Sequence, residues 1–255
     1  MAPTWREAIV ATFSVILPAA GSSSRFKDKH YKKPYAVLAG RAVWLHSAER
    51  FLARDDVKQC ILVIAQEDRS DFQMKFGANV AILGIDVVEG GAERSDSVAR
   101  GLEKVRDDVD YVVVHDAARP CVAEEWIDRV FAEATKSGAA ILGVPVQATL
   151  KRVSSQHVVE ETVSREGIWE AQTPQVFRRK LLTDAFARRG ELSATDEAQL
   201  VEQTGHAISV VTGSRLNLKI TTKEDLRLAE QVLKVLPKPK LDKAPHPFAD
   251  DDMWR

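Results

Sequence analysis

The chain has 255 residues, of which 45% are hydrophobic, and this length is sufficient to bury a large core in one α/β domain. Lysine and arginine (36) nearly balance aspartate and glutamate (37), so the net charge of −1 provides no overall field for nucleic acid or an anionic membrane. No apolar run approaches a membrane span or a secretion signal, and Cys60 and Cys121 lack metal spacing. We therefore expect a cytoplasmic protein with buried free thiols and only local anion sites.

The first predicted strand, residues 13–17, runs directly into a loop of small residues. Ala19, Ala20 and Gly21 carry little or no side chain, so successive backbone N–H groups can turn toward an anion. The loop lacks the Gly-Lys-Ser/Thr ending of a P-loop and the G-x-G-x-x-G of a dinucleotide-binding loop. It is therefore either an ordinary tight connection or a third kind of phosphate-binding loop.

Cations that follow this loop favour phosphate binding. Arg25 comes directly after the small residues, and the pair Lys32 and Lys33 follows a few residues later. Full positive charge at these positions would hold a polyphosphate more firmly than backbone dipoles alone. With these cations, the segment resembles the L-x-A-A-G-x-x-x-R signature of nucleotidyltransferases, which join a nucleoside triphosphate to a sugar or polyol phosphate.

Predicted strands and helices then alternate as far as residue 144. Apolar runs at 60–65, 85–88, 111–115 and 139–144 predict buried strands, and apolar residues at helical spacing predict helices at about 44–52, 98–105 and 126–134. This alternation is typical of the α/β class. It predicts a doubly wound, mostly parallel sheet with right-handed crossovers.

The alternation stops between residues 145 and 175. Two predicted strands there, at about 150–153 and 158–163, are not followed by helices, which indicates a protruding β-arm that pairs with a partner. Later segments predict a helix near 181–187, a helix start at 193–198, short strands at 207–211 and 217–220, and a last helix opening at Thr222. We expect one domain over 1–236 and a flexible tail, rich in proline and charge, over 237–255.

Asp116 and Arg119 follow the clearest of the predicted strands. Open α/β sheets bind their ligands at the carboxyl ends of the strands. A carboxylate there suits Mg²⁺, which completes its octahedron with phosphate oxygens and water, and Arg119 would hold a second anion. A loop cap is the alternative role for Asp116, and His115 is expected to be a buried strand-end residue rather than a base.

A second segment of interest runs from Gly90 and Gly91 to Ser97. The glycines permit close approach to a base or ribose, and Ser97 offers a hydroxyl group. The alternative is a plain strand-to-helix turn with a polar cap. Arg94 at this helix start opposes the helix dipole, which suggests a role other than helix stability.

Eight motifs in order connect the chain with one family. Between about residues 13 and 236 they are Ala-Ala-Gly-x-x-x-Arg, Gly-Gly-x-Glu-Arg-x-Asp-Ser-Val, Val-His-Asp-Ala-Ala-Arg-Pro, Pro-Val-x-x-Thr-x-Lys, Thr-Val-x-Arg, Gln-Thr-Pro-Gln, Thr-Asp-Glu and Asn-x-Lys-Ile-Thr. The set resembles the 2-C-methyl-D-erythritol 4-phosphate cytidylyltransferases of the non-mevalonate isoprenoid pathway. This resemblance implies a Rossmann-like nucleotidyltransferase fold and transfer of CMP from CTP to methylerythritol phosphate, with release of pyrophosphate.

The resemblance also implies roles for single residues. Arg25 and Lys33 match the catalytic cations that hold the triphosphate, and Asp116 matches the Mg²⁺ ligand. The positions matching the CTP site are Ala19, Ala20, Gly21, Gly91, Ser97, Asp116 and Ala117. The positions matching the methylerythritol phosphate site are Arg119, Thr149, Arg165, Thr173, Thr195 and Lys219. In this family the arm hooks around a second subunit, which implies a homodimer in which Thr149 and Arg165 serve the partner's site.

Three positions depart from the family pattern. Lys32 stands where proline is common, which leaves open whether Lys32 or Lys33 reaches the phosphates. Ala92 replaces an aspartate beside the cytidine in many members, and Leu216 replaces a second carboxylate near the metal. Two alternatives therefore stay open: cytidylyl transfer to another polyol phosphate such as ribitol 5-phosphate, or an inactive nucleotide-binding subunit.

Overall fold

The computed structural model describes residues 11–21, 33–190 and 192–237, without the side chain of Lys33. The predictions for Arg25, for Lys32 and for the tail beyond residue 237 lie outside the described residues. The strands are β1 Phe13–Pro18, β2 Val37–Leu38, β3 Arg41–Ala42, β4 Val57–Ile64, β5 Asp86–Glu89, β6 Tyr111–Val114, β7 Ala139–Pro145, β8 Leu150–Val153, β9 Val159–Val163, β10 Trp169–Arg178 and β11 Ser209–Thr212. The α-helices are α1 Val43–Leu52, α2 Arg69–Leu83, α3 Arg94–Leu102, α4 Glu124–Ser137, α5 Arg179–Ala187, α6 Glu197–Glu202 and α7 Lys223–Val235.

Seven strands form the central sheet, in the order β11-β7-β10-β6-β1-β4-β5. β1 pairs in parallel with β4 and β6, β4 pairs in parallel with β5, and β7 does so with β11. β10 runs antiparallel to both of its neighbours, β6 and β7. The predicted α/β class with a mostly parallel sheet is therefore confirmed.

Helices cover both faces of this sheet. In β1, Val15 and Leu17 belong to the core that includes residues of α1 and α4, whereas Ile16 belongs to the opposite core with Val98 of α3 and Leu182 of α5. Strands that are covered on both faces consist of continuous apolar runs, which made them visible in the sequence. Both cysteines are buried free thiols, as predicted. None of the helices described combines the length and apolar character that crossing a membrane requires.

The predicted β-arm is present but shorter than expected. β8 and β9 form a separate two-stranded antiparallel sheet, and most of their residues are exposed. At its base the N–H of Val146 donates to the carbonyl of Ile168 at 3.0 Å. The chain rejoins the central sheet at Trp169, which pairs with Pro145 of β7. From Gln175 onward, β10 pairs with both β7 and β6. The arm therefore covers 146–168 rather than 145–175.

Two other details differ from the sequence predictions. Residues 217–220 form a loop and not a strand; the N–H of Ile220 donates to the carbonyl of Ala118 at 2.8 Å and anchors this loop beside β6. Helix α2 was not predicted. Only Phe72 among its residues is buried, so its sequence lacks the broad apolar stripe that reveals a helix.

Candidate active site

A cleft of about 590 Å³ opens at the carboxyl ends of the parallel strands. Its walls come from residues 18–21 after β1, Ala65 and Gln66 after β4, and Gly90 and Gly91 after β5. Asp116 and Ala118 after β6, with Lys219, complete the wall. Because β1 has neighbours on both sides that follow it in the chain, this is the switch point at which open α/β sheets bind ligands.

The loop after β5 packs tightly against the loop after β1. A Cβ atom on Gly90 would lie 2.7 Å from the Cβ of Ala20 and 2.6 Å from Ser97 Oγ, so only glycine fits without movement. Ser97 Oγ accepts a hydrogen bond from the N–H of Gly91 at 3.2 Å and donates one to the carbonyl of Glu93 at 3.1 Å. The sequence therefore places the predicted small-residue loop and the Gly-Gly segment on one surface.

The same segment also forms an ordinary helix start, which was the alternative role predicted for it. Glu93 and Asp96 form a capping box at the beginning of α3, and the N–H of Glu93 donates to Asp96 Oδ2 at 3.2 Å. The cap fixes the direction in which α3 leaves the loop. The same residues therefore stabilise the helix and shape the cleft wall.

Asp116 lies in the cleft wall among three cations. Lys219 Nζ is 2.7 Å and Arg119 Nε 3.6 Å from Asp116 Oδ2, while Nε and Nη2 of Arg94 are each 3.3 Å from Oδ1. Burial opposes ionisation of this carboxyl, but the charges of Arg94, Lys219 and Arg119 outweigh it and hold the pKa of Asp116 well below its ordinary value. Asp116 is therefore ionised at neutral pH.

This donor set fits a magnesium ion that is held by a single carboxylate. Within the described ranges, no three acidic, histidine or cysteine side chains gather as a metal cluster. Leu216 packs against the hydrophobic core and supplies no donor. Among the residues that the structure describes, the only hydrogen bonds to Asp116 Oδ1 are the two long contacts from Arg94, and Mg²⁺ is commonly held by one or two carboxylates plus phosphate oxygens and water.

His115 supports the cleft wall from below. Its side chain is fully buried, Nε2 lies 3.0 Å from the carbonyl of Arg119, and Nδ1 lies 3.2 Å from Thr173 Oγ1. Thr173 Oγ1 also accepts a hydrogen bond from the N–H of Asp116 at 3.0 Å. Burial lowers the pKa of His115 to about 4, so the ring is neutral at pH 7. This matches a buried strand-end residue rather than a base.

Several residues predicted for the site lie elsewhere in this single chain. Thr149 and Arg165 are exposed near the base of the arm, where an Arg165 Nη1 hydrogen bond reaches the carbonyl of Gln147. Thr195 is also exposed, and its N–H donates to Gln199 Oε1 at 2.9 Å. None of these three threonine and arginine side chains is among the described residues that line the cleft.

Two predicted positions lie next to residues that line the cleft. Ala117 is fully buried, and its carbonyl accepts a hydrogen bond from Ser47 Oγ at 3.0 Å. Lys33 is described only by its backbone, which begins the short 3₁₀ helix Lys33–Tyr35 beside the cleft residue Pro34. The first loop, the Gly-Gly segment, Asp116, Arg119 and Lys219 are thus brought together by the fold.

Two contacts of charged side chains at this site were not predicted from the sequence. Arg94 binds Glu197 through two hydrogen bonds of 2.7 and 3.0 Å, and Glu197 is only 1% exposed. Burial raises the pKa of Glu197, and the charge of Arg94 opposes that rise. Arg100 Nη1 donates to the carbonyl of Gly90 at 2.7 Å. The unfavourable position of Arg94 at a helix start was the one signal in the sequence.

A doubly wound sheet whose switch-point cleft combines a small-residue loop, an ionised carboxylate and converging cations defines a nucleotidyltransferase. The family model of 2-C-methyl-D-erythritol 4-phosphate cytidylyltransferase matches residues 13–235. The chain therefore belongs to this family, as its motifs predicted.

Relatives and solved structures agree with this assignment. The enzyme of this name from Rhodopirellula baltica is 44% identical over 234 residues, which cover 88% of this chain and 95% of the relative. That from Bacillus pumilus is 38% identical over 224 residues, covering 87% and 96%. The crystal structure of the Thermus thermophilus enzyme is similar with a TM-score of 0.73 at 33% identity, covering 87% of this chain and 98% of that one.

Proposed function

We propose that this chain transfers the cytidylyl group of CTP to the phosphate of 2-C-methyl-D-erythritol 4-phosphate and releases pyrophosphate. The observation that carries this proposal is the ionised Asp116 with its three cations, placed at the switch-point cleft of a chain that belongs to the family. Two relatives whose similarity covers 88% and 87% of this chain carry the name of this activity.

In this reaction an oxygen of the acceptor phosphate forms a bond to the α-phosphorus of CTP. The bond from that phosphorus to the bridging oxygen breaks, and pyrophosphate leaves with its electron pair. The acceptor is already an ionised phosphate at neutral pH, so no general base is required. The chain contributes positioning and positive charge, which are the main terms in phosphoryl-transfer sites.

The described residues divide this work between two sides of the cleft. The backbone of residues 19–21 and the Gly90-Gly91 loop would receive the nucleotide, because these small residues line the cleft and leave room for a close approach. Lys219 and Arg119 lie on the Asp116 side and would receive the acceptor phosphate. Arg25 and Lys33 would add charge to the triphosphate. Asp116 would hold Mg²⁺, which neutralises phosphate charge when it is bound.

The arm supports the further proposal of a homodimer. It exposes Val153 (46%), Val158 (62%) and Val159 (57%), and its base exposes Ile168 and Trp169. A two-stranded arm with exposed apolar side chains is expected to pack against another protein surface. In a dimer with two-fold symmetry, each chain provides this surface for the arm of the other. Thr149 and Arg165 would then reach the partner's acceptor site. Free thiols buried in the core support a cytoplasmic location.

The test is release of pyrophosphate from CTP with methylerythritol phosphate, compared with ribitol 5-phosphate, in the presence of Mg²⁺. We expect turnover only with the first acceptor. Turnover with ribitol 5-phosphate alone would support the other polyol phosphate, and CTP binding without turnover on either acceptor would support the inactive subunit. Lys32→Ala and Lys33→Ala proteins in the same assay would decide which lysine acts, and we expect it to be Lys33.

A further inference from the structure

Glu197 is a nearly inaccessible carboxylate beside the cleft that the proposed reaction does not use. It begins α6, is 1% exposed, and accepts hydrogen bonds from Nη1 and Nη2 of Arg94 at 2.7 and 3.0 Å. Buried ion pairs of this kind are often no more stable than apolar side chains of the same volume. Stability is therefore a poor reason for this pair, whereas the position of Arg94 in the cleft wall suggests an effect on the cleft.

The Arg94 guanidinium is shared unequally between two carboxylates. Its two contacts with Glu197, at 2.7 and 3.0 Å, are at or close to the length of charged hydrogen bonds, whereas both contacts with Asp116 Oδ1 are longer at 3.3 Å. Glu197 thus draws the guanidinium away from Asp116. Asp116 Oδ1 consequently keeps room for another partner in the cleft.

We propose that Glu197 is a positioning residue that holds Arg94 back from Asp116, so that Asp116 stays open to the cation and phosphates of the reaction. This inference rests on the proposed function. Without the negative charge of Glu197, Arg94 closes onto Asp116 and forms a direct bidentate ion pair. Asp116 is then masked, although the cleft as a whole has gained positive charge.

The two consequences have opposite signs, which separates positioning from mere support of the fold. Asp116 and Glu197, with Arg94, Arg119 and Lys219, carry a net formal charge of one positive, and neutralising Glu197 makes it two. Metal-free CTP is highly negative and should bind more tightly to the more positive cleft. Turnover should fall because Asp116 is masked. If the substitution instead loosened the fold, the binding of metal-free CTP and the turnover would both decrease.

The experiment uses the Glu197→Gln protein, which keeps side-chain size and a carbonyl acceptor. Calorimetry in EDTA at low salt should show metal-free CTP bound about threefold more tightly or better. In the pyrophosphate assay kcat should fall about tenfold, and the Mg²⁺ concentration for half-maximal rate should rise. Glu202→Gln, a neutralisation at an exposed position of the same helix, should leave all three quantities unchanged.

A second variant, Arg94→Gln with Glu197→Gln, removes both members of the pair. No guanidinium remains to mask Asp116, so the half-maximal Mg²⁺ concentration should return to the wild-type value even if Glu197→Gln alone fails to fold. Parallel loss of metal-free CTP binding and kcat in Glu197→Gln, or a persistent magnesium shift in the double variant, would overturn the inference. Wild-type protein that releases no pyrophosphate would instead overturn the proposed function.

Discussion

We expect Asp116 to be the described residue with most consequence for catalysis, because this one carboxylate balances three cations. Asp116→Asn keeps the shape but leaves Arg94, Arg119 and Lys219 without their shared counter-charge. We expect kcat to fall about 100-fold or more, with a weaker dependence on Mg²⁺. Steady-state pyrophosphate release across a magnesium titration measures both effects.

A surface variant controls for the loss of charge in that experiment. Asp107 pairs with Arg179 at 2.8 Å but is 99% exposed, so Asp107→Asn should leave rate and magnesium dependence unchanged. An unaltered magnesium titration in Asp116→Asn would show that this carboxylate is not the metal ligand.

His115 is a second single residue with a testable effect, because it makes the free energy of unfolding depend on pH. Its pKa is lowered by burial from 6.5 to about 4, so the unfolded chain binds a proton in this interval that the folded protein excludes. Its contribution is complete above pH 6.5 and is lost as pH falls toward 4. Between pH 7 and 5 the free energy of unfolding should fall by about 2 kcal/mol on this account.

Urea unfolding in EDTA at both pH values, at one protein concentration, tests this expectation. His115→Gln can still donate to the carbonyl of Arg119, but it does not titrate. Its pH-dependent loss should be smaller than that of the wild type by about the same amount, whatever its absolute stability. An equal loss in the two proteins would mean that His115 is not the group responsible.

At the scale of elements, sequence patterns identified the strands that are covered on both faces, and failed where polar side chains are buried. β10 lies between β6 and β7, yet its centre reads Gln172, Thr173, Pro174 and Gln175, which resembles a loop. Its polar groups are satisfied only by distant partners: the Gln175 amide bonds Asp196 Oδ2 at 2.9 Å, and Gln172 bonds the carbonyl of Ser214 at 2.9 Å. No local pattern contains such partners.

The candidate site was likewise predictable from the sequence only in part. Its loops and Asp116 follow apolar strands and were visible, whereas the Arg94–Glu197 pair joins residues 103 positions apart. The resemblance to a family supplied positions such as Thr149 and Arg165 that one chain does not bring to the cleft. Charge pairing across such a separation depends on the packing of α3 against the segment before α6, which no local period encodes.

The tight contact between the loops after β1 and β5 gives a prediction for the element. Gly90→Ala would force Cβ to within 2.7 Å of Ala20 Cβ, a rigid neighbour, so the loops must separate. We expect a loss of about 1–3 kcal/mol in the free energy of unfolding, together with weaker CTP binding. Denaturant unfolding and calorimetry measure the two effects.

Gly77→Ala is the matched control for this substitution. Its Cβ would meet only the side chain of Gln73, which is exposed and can move, and alanine is the better helix former within α2. Stability should be unchanged or slightly higher, with CTP binding intact. Equal stability of Gly90→Ala and wild type would show that the loops adapt to the added methyl group.

For the molecule as a whole, the positions of the arm and the cleft raise the question of whether one chain can form a complete acceptor site. Arg165 and Thr149 lie near the base of an arm that carries exposed valines, while the cleft lining described contains neither residue. If the acceptor site needs Arg165, a second copy of the chain must bring it. The proposed two-fold arrangement would therefore make every site from parts of two chains.

Mixing two inactive proteins tests this arrangement directly. In a dimer of one Arg165→Ala chain and one Lys33→Ala chain, shared sites leave one site with both defects and restore the other completely. After full subunit exchange half of the dimers are mixed, so pyrophosphate release should reach about one quarter of the wild-type rate, far above either parent. Exchange is verified by mass spectrometry of the mixed dimers, and absence of recovery despite exchange would place Arg165 in the site of its own chain or outside any site.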